Sequence, residues 1–437
     1  MQTSLETLSP LERRLNVALP LDEIESEVGK RLARLARDVR LPGFRPGKVP
    51  LKLVAQQYGP QVRSDVITDK VQTSFNDAIR EQNLRVAGQP RIEARPGGDA
   101  ESRDLEFSAT FEIYPDIVIG DLSTVQIERP VAQVTPEDVE ETLQVLRRQR
   151  VKYEPAERPA EAGDRVTVDF SGRIDDVEFA GGQAKDFPIV IGEGRMLPEF
   201  EAAVTGMRAG ESRTFPLTFP ADYHGKEVAG KQAEFTLAVK NVEAGVLPEL
   251  DGDFAQQFGI QSGSLDELRS EVAANLRLEL KRKIEARVKE QALAALRQRA
   301  ELTVPRSLVE QEAKAMAAQT AANLQQQGVK PEDMKLTPDM FRANAEERVA
   351  LGLVLSEVVR THELKARPEQ VKALVQEAAQ TYEQPDAVVR WHYEKPERLN
   401  EFEAQAVERN VVDWVLAQAR VVDKPTTFRE IMGPART

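Results

Sequence analysis

The chain has 437 residues, enough for two to four domains at roughly 100–200 residues each and for more than one core. Its formal net charge is −13, with 30% charged residues, which argues against a general nucleic-acid binder because phosphates repel such a chain. There is no cysteine, and His224, His362 and His392 lie far apart, which excludes disulfides, thiolate chemistry and a histidine zinc site.

The first 20 residues include Glu6, Glu12, Arg13 and Arg14 and hold no apolar run of the signal-peptide kind. The longest apolar run, residues 349–355, falls far short of the roughly 18 residues that cross a bilayer. A soluble, cytoplasmic protein with no membrane partner, no cofactor and no metal is expected.

In chain order, Leu15, Val17 and Leu19 alternate with polar or small residues and predict a strand. A helix follows Pro20, with Ile24, Val28, Leu32, Leu35 and Val39 on one face and Pro42-Gly43 as its stop. A second helix is expected from about Pro60 to Asn83. Leu105, Phe107, Ala109, Phe111 and Ile113 then alternate strictly, as a strand with one buried face does. Residues 1–115 therefore read as an α+β domain. Residues 116–150 read as a connector, with a helix from Pro136 through Arg150.

Residues 151–245 hold 11 of the 25 glycines and nine of the 24 aromatics, a composition for short strands and turns. Val166, Val168 and Phe170 alternate at its start, and Phe235, Leu237 and Val239 near its end, which brackets a compact antiparallel domain. From Ser264 to Phe428 only Gly328 and Gly352 remain, so residues 246–437 read as long helices. Ser264 with Glu267 and Ser307 with Glu310 have capping-box spacing, and Pro338 and Pro368 mark further helix starts. The run 349–355 is apolar on every side. Its pattern also allows a strand, but its flanks favour a buried helix. The fold class expected is multidomain α+β.

Charge is unevenly spread. Lys30, Arg31, Arg34, Arg37, Arg40, Arg45, Lys48 and Lys52 face only Asp38, so residues 30–52 carry +7 and the rest of the chain −20. Lys30, Arg34 and Arg37 fall on the helix face opposite Ile24, Val28 and Leu32. Read alone, such a stripe is a solvated helix face. The loop beyond the helix is less ordinary: Gly43-Phe44-Arg45-Pro46-Gly47-Lys48-Val49-Pro50 places one large aromatic in a glycine–proline turn between cations. An aromatic so placed can bury on a partner while Arg45 and Lys48 meet phosphate or carboxylate.

This octapeptide resembles the ribosome-binding signature of trigger factors, Gly-Phe-Arg-x-Gly-Lys-x-Pro, at every fixed position. The resemblance implies docking through Gly43, Phe44, Arg45, Gly47 and Lys48 beside the polypeptide exit tunnel, on ribosomal protein and nearby rRNA. Pro46 occupies the variable position, so any cation contributed there by other members is missing.

Residues 151–245 resemble the FKBP-type prolyl isomerase domain through VTVDFSG at 166–172, IG at 191–192, MLPEF at 196–200, GMRAG at 206–210, FPADYH at 219–224 and GKQAEF at 230–235. The resemblance implies a pocket lined by Phe170, Phe179, Phe187, Met196, Leu197, Phe200, Tyr223 and Phe235, with His224 at its rim. Rotation about an imide bond faces roughly 18–20 kcal/mol, and a dry aromatic pocket favours the less dipolar twisted form without a nucleophile or metal. Ala180 stands where many such domains have Asp, and Phe200 where many have Trp, which weakens the case for tight macrolide binding. A plainer reading makes these aromatics the core of a small β-domain.

THELK at 361–365, after the apolar run, resembles the trigger-factor C-terminal domain. Periodicity alone reads residues 246–437 as an ordinary helical bundle. The resemblance implies instead a helical client-binding domain with arms, on which the 116–150 connector packs, with the isomerase domain inserted at the far end. The function implied is a ribosome-associated chaperone that holds nascent and unfolded polypeptides and isomerises X-Pro bonds, with a homodimer off the ribosome. The alternative is a stand-alone prolyl isomerase that its flanking domains only localise. A periplasmic folding factor and a nucleic-acid binder acting through residues 30–52 are weaker options.

Overall fold

The computed structural model describes residues 2–39, 44, 49–94, 104–175, 177–223, 225–329, 336–380, 382 and 384–433. The chain divides into two compact units, Met1–Glu128 with Val288–Val422, and Arg129–Arg287 with Asp423–Thr437.

The first unit starts with β1 (Gln2–Thr7), β2 (Glu12–Pro20), α1 (Leu21–Asp38), α2 (Leu51–Glu81), β3 (Val86–Ala94) and β4 (Asp104–Ile113). The strands form one antiparallel sheet in the order β1-β2-β4-β3. Period-two alternation sends Leu15, Val17 and Leu19 of β2 and Phe107, Ala109 and Phe111 of β4 to one buried face. Onto that face pack Ile24, Val28 and Leu32 of α1 and Val54, Val66, Val71 and Phe75 of α2. Strands β1 and β3 carry no alternation that predicts them.

Helix α2 starts at Leu51, nine residues ahead of the expected start, so Pro60 lies inside it. Proline removes one helical hydrogen bond and crowds the preceding turn. Here that turn is held by tertiary packing, with Val54 wholly buried. The stop assigned to Pro42-Gly43 lies outside the described residues; α1 itself ends at Asp38.

Next come β5 (Val118–Ile119), β6 (Gln126–Val131) and α3 (Pro136–Arg148), which starts at the expected proline and stops two residues short of Arg150. In the second unit, Thr135 and Asp138 form a reciprocal capping box at the start of α3. Val139 and Leu143 of α3 share a core with Phe254, Ala255 and Ile260. The five-stranded sheet comes next in the chain: β7 (Lys152–Pro155), β8 (Arg165–Ile174), β9 (Val177–Val190), α4 (Pro198–Val204), β10 (Ser212–Thr218) and β11 (Gln232–Val246). Its order is β10-β11-β8-β9, with β7 pairing the far end of β11. The core between α4 and the sheet holds Val166, Val168, Ile189, Phe200, Val204, Leu217, Phe235 and Leu237.

The remainder is largely helical: α5 (Gly252–Gln257), α6 (Leu265–Arg299), β12 (Ala300–Glu301), α7 (Arg306–Gln326), α8 (Arg342–His362), α9 (Pro368–Ala379), α10 (Pro385–Tyr393), α11 (Asn400–Gln418), β13 (Arg420–Pro425) and α12 (Phe428–Met432). At α6 only half of the expected capping box forms: Ser264 Oγ accepts the Glu267 amide at 3.3 Å, while the Glu267 carboxylate takes the Ser262 hydroxyl. The Ser307–Glu310 box does not form. Helix α7 begins one residue earlier, and Ser307 donates its hydroxyl to the Ala87 carbonyl at 2.9 Å. The apolar run 349–355 lies in α8, buried at Ala350, Leu353 and Val354 but exposed at Gly352, so one face rather than the whole circumference is covered.

Candidate functional site: an aromatic cavity and a basic helix

Sheet and loops converge on a cavity of about 500 Å³ in the second unit. Strand β8 supplies Phe170, β9 supplies Phe179, the approach to α4 supplies Met196 and Leu197, and α4 itself supplies Phe200. The loop after β10 contributes Phe219 and Tyr223, and β11 contributes Phe235.

Phe235 is the hub. Its ring centroid lies 5.9 Å from Phe200, 6.1 Å from both Phe170 and Phe179, and 6.3 Å from Phe219. The pairs with Phe200 and Phe179 are edge-to-face, the arrangement that opposes ring quadrupoles favourably. Phe200 and Phe235 are almost wholly buried, so they form the floor and serve the domain core as well. Phe170, Phe179, Met196, Leu197 and Tyr223 are partly buried and form the walls.

Two close approaches explain glycines of this domain. A Cβ on Gly172 would lie 2.6 Å from the Phe235 ring, and one on Gly182 would lie 2.9 Å from the Phe179 ring. Only glycine lets those rings sit where they do. Glu201 fixes the lip of the cavity, its carboxylate accepting the amides of Gly192 and Gly194, both at 3.1 Å. Both glycines have left-handed backbones, at φ 93° and 67°, so the turn ahead of Met196 suits them.

Among the described lining residues, the only titratable side chains are Arg195 and Tyr223. Arg195 is exposed and pairs with Glu193 at 3.1 Å. Charged groups that are firmly fixed lie elsewhere in the domain. Lys240 bridges Asp169 at 3.0 Å and Asp186 at 2.7 Å. The Asp186 amide and then Lys240 hold the Asp169 carboxyl below its ordinary range. Asp164 is buried, and burial pushes its carboxyl up. The Arg158 guanidinium, at 2.7 and 2.9 Å, and the amides of Glu161 and Gly245 outweigh that and hold it low.

Of the residues expected at the pocket, Phe170, Phe179, Met196, Leu197, Phe200, Tyr223 and Phe235 line one cavity. Phe187 does not; it is 39% exposed and faces a neighbouring hollow. His224 lies outside the described residues. Phe219 joins the lining without having been expected there, although it opens the quoted FPADYH stretch. It sits 4.9 Å from Tyr223 and 5.9 Å from Phe179.

On the first unit, α1 turns Lys30, Arg34 and Arg37 to solvent, while Arg31 bends to α2 and bonds Asp69 at 2.6 Å. Lys30 has a loose partner in Glu27 at 3.5 Å. Phe44 is 40% exposed. Gly43, Arg45, Gly47 and Lys48, assigned to the same docking turn, lie outside the described residues.

Residues 1–146 match a family model described as bacterial trigger factor protein, residues 264–417 match its C-terminus, and residues 156–240 match FKBP-type peptidyl-prolyl cis-trans isomerase. The trigger factor of Nitrosospira multiformis is 50% identical over 434 residues, spanning 99% of this chain and 100% of its own. The chain belongs to the trigger factor family. The trigger factor of Aromatoleum aromaticum is also 50% identical, over 435 residues and the full length of both chains. A solved trigger factor chaperone, described for promiscuous substrate recognition in folding and assembly, covers 95% of this chain and 99% of its own at 19% identity and a TM-score of 0.47. Trigger factors are ribosome-associated chaperones, and the FKBP-type domain found here between the two trigger-factor matches is part of that family's make-up. Among the described residues no helix is long and apolar enough to cross a membrane.

Proposed function

We propose that this chaperone docks beside the polypeptide exit tunnel and isomerises X-Pro bonds of emerging chains in the cavity around Phe235. The observation that carries the catalytic half is a concave aromatic surface with no acid–base pair among its described walls. Proline enters such a site readily. The amide loses resonance and polarity as it twists, so a dry, weakly polar wall stabilises the twisted form relative to water. Phe200 and Phe235 provide the floor, and Phe170, Phe179, Met196, Leu197, Phe219 and Tyr223 the walls; the resemblance assigns His224 to the same site.

Docking falls to residues 1–115. Arg34 and Arg37 extend from α1 into solvent, and Phe44, the neighbour in sequence of Arg45, is exposed. An aromatic anchor with cations close to it in sequence suits a ribosomal protein flanked by rRNA phosphates. Residues 246–437, with the 116–150 connector, hold unfolded chains. Exposed Met340, Tyr382, Trp391 and Tyr393 give scattered apolar contacts that bind weakly one at a time and more firmly together. The site of action is the cytoplasm, and off the ribosome the chain pairs with a second copy.

One preparation tests both halves. The purified protein is expected to co-sediment with ribosomes and to accelerate refolding of a proline-limited substrate. Phe44→Ala with Arg45→Ala and Lys48→Ala should abolish the first and spare the second, and Phe179→Ala should do the reverse. Wild-type protein that neither co-sediments nor accelerates refolding would remove the reading.

A further inference from the structure

Phe187 leaves β9 on the outer side of Phe170, which it meets edge-on with centroids 5.8 Å apart. With Tyr153, Arg165, Pro188 and Ile189 it forms a second hollow of about 380 Å³. Arg195 and Met196 line both this hollow and the aromatic cavity, so a single wall divides the two.

We infer that the second hollow is a peptide subsite, taking an aromatic side chain two residues away from the proline held in the main cavity. The inference rests on the isomerase reading above. Hollows that share a wall are filled from one side of a bound peptide. In an extended chain successive side chains point to opposite sides, and residues i and i+2 share a side at a spacing of about 6.5–7 Å. Phe170 lines the main cavity and Phe187 the second hollow, and their rings touch edge-on, so the two hollows adjoin across one layer of side chains. The immediate neighbour of the proline points away from both hollows.

The walls select the class of side chain. Phe187 offers an exposed ring. Tyr153 lies beneath the Arg165 guanidinium at 4.5 Å, and Glu243 grips that guanidinium through two bonds of 2.7 and 2.9 Å. Arg165 is thereby fixed as a flat plate whose charge is already matched. Arg195 is matched by Glu193. The hollow thus presents rings and a stacked guanidinium plane rather than a free cation, which suits an aromatic guest over an acidic one.

The test uses the full chain and three proline peptides, with Phe two residues before the proline, Phe two residues after it, or Ala at both places. One of the Phe peptides is expected to exceed the Ala peptide in kcat/KM by about threefold to tenfold, the range of one aromatic pair. Phe187→Leu and, separately, Tyr153→Ala should draw that ratio towards one; a ratio cancels any loss common to all peptides. No preference in the wild type, or a preference that survives both substitutions, overturns the subsite while leaving the isomerase intact. Failure to turn over any peptide removes the isomerase reading, and the subsite with it.

Discussion

The Glu112 carboxylate accepts the Ser307 amide at 2.7 Å, and its second oxygen accepts the Arg306 amide at 3.1 Å. A residue on the last strand of the N-terminal sheet therefore caps α7, almost 200 positions away in sequence. The arrangement places a negative charge where the helix leaves its first amides unpaired and its dipole positive. The contact is tight: a Cβ on Gly88 would lie 2.7 Å from Ser307.

Glu112→Ala should cost about 1 kcal/mol of stability, as loss of a helix cap does. The change should be local. Amide hydrogen exchange of the first turn of α7 is the measurement, and protection equal to wild type there would show that the cap carries no weight.

This cap also shows where sequence reading stops. The spacing of Ser307 and Glu310 predicts a local capping box, and local spacing cannot reveal a competing carboxylate brought in by tertiary structure. The alternations in β2 and β4 are legible because each strand has one dry face, which imposes a period of two. The β1 and β3 strands are not, because their pairing depends on partners rather than on any pattern of their own. Pro60 misleads for the same reason: packing of Val54 outweighs a local breaker. At the cavity, the ring residues stand out by type and order. Sequence could not reveal the division of labour among them, with Phe200 and Phe235 as floor and Phe187 outside.

Gly172→Ala should damage the cavity from behind. The new methyl group meets the Phe235 ring, so this part of the cavity floor must move. Overpacking of this kind costs about 1–3 kcal/mol. The expected result is a folded, less stable domain with at least a severalfold lower kcat/KM on an X-Pro peptide. Wild-type turnover in the folded variant would mean that the position of Phe235 does not govern the reaction.

Asp164 should contribute to the acid limb of the five-stranded domain's stability. Its carboxyl is held low in the folded state, so the unfolded chain takes up the proton first. The stabilisation is complete above the unfolded value of about 3.9 and is lost as pH falls through the lower folded value. Asp164→Asn should flatten that limb, and Asp164→Ala should cost about 2 kcal/mol at neutral pH, in the range of a hydrogen bond to a charged group. Urea melts at several pH values would show it; parallel pH profiles for wild type and Asp164→Asn would contradict it.

Arg34 and Arg37 should matter for ribosome binding, and Arg31 should matter for folding. The first two face solvent, whereas Arg31 joins α1 to α2 through Asp69. Arg34→Glu with Arg37→Glu is expected to weaken co-sedimentation by at least about tenfold, because like charges then face phosphate. The loss should shrink as salt rises and screens the contact. Arg31→Gln should leave binding nearly unchanged and lower thermal stability slightly. Equal effects of the two changes on binding would place the contact on another face.

Both units draw on the last third of the sequence: one needs strands and helices up to Val422, and the other needs the residues from Asp423 onward. The five strands between Lys152 and Val246 are contiguous and can close while synthesis continues. The larger units cannot, so their N-terminal portions wait, partly unsatisfied, until residues as far along as Val422 and Asp423 have been made. A helper of unfinished polypeptides is thus itself an unfinished polypeptide while the residues between its two halves are being made, and copies already at work are well placed to attend its making.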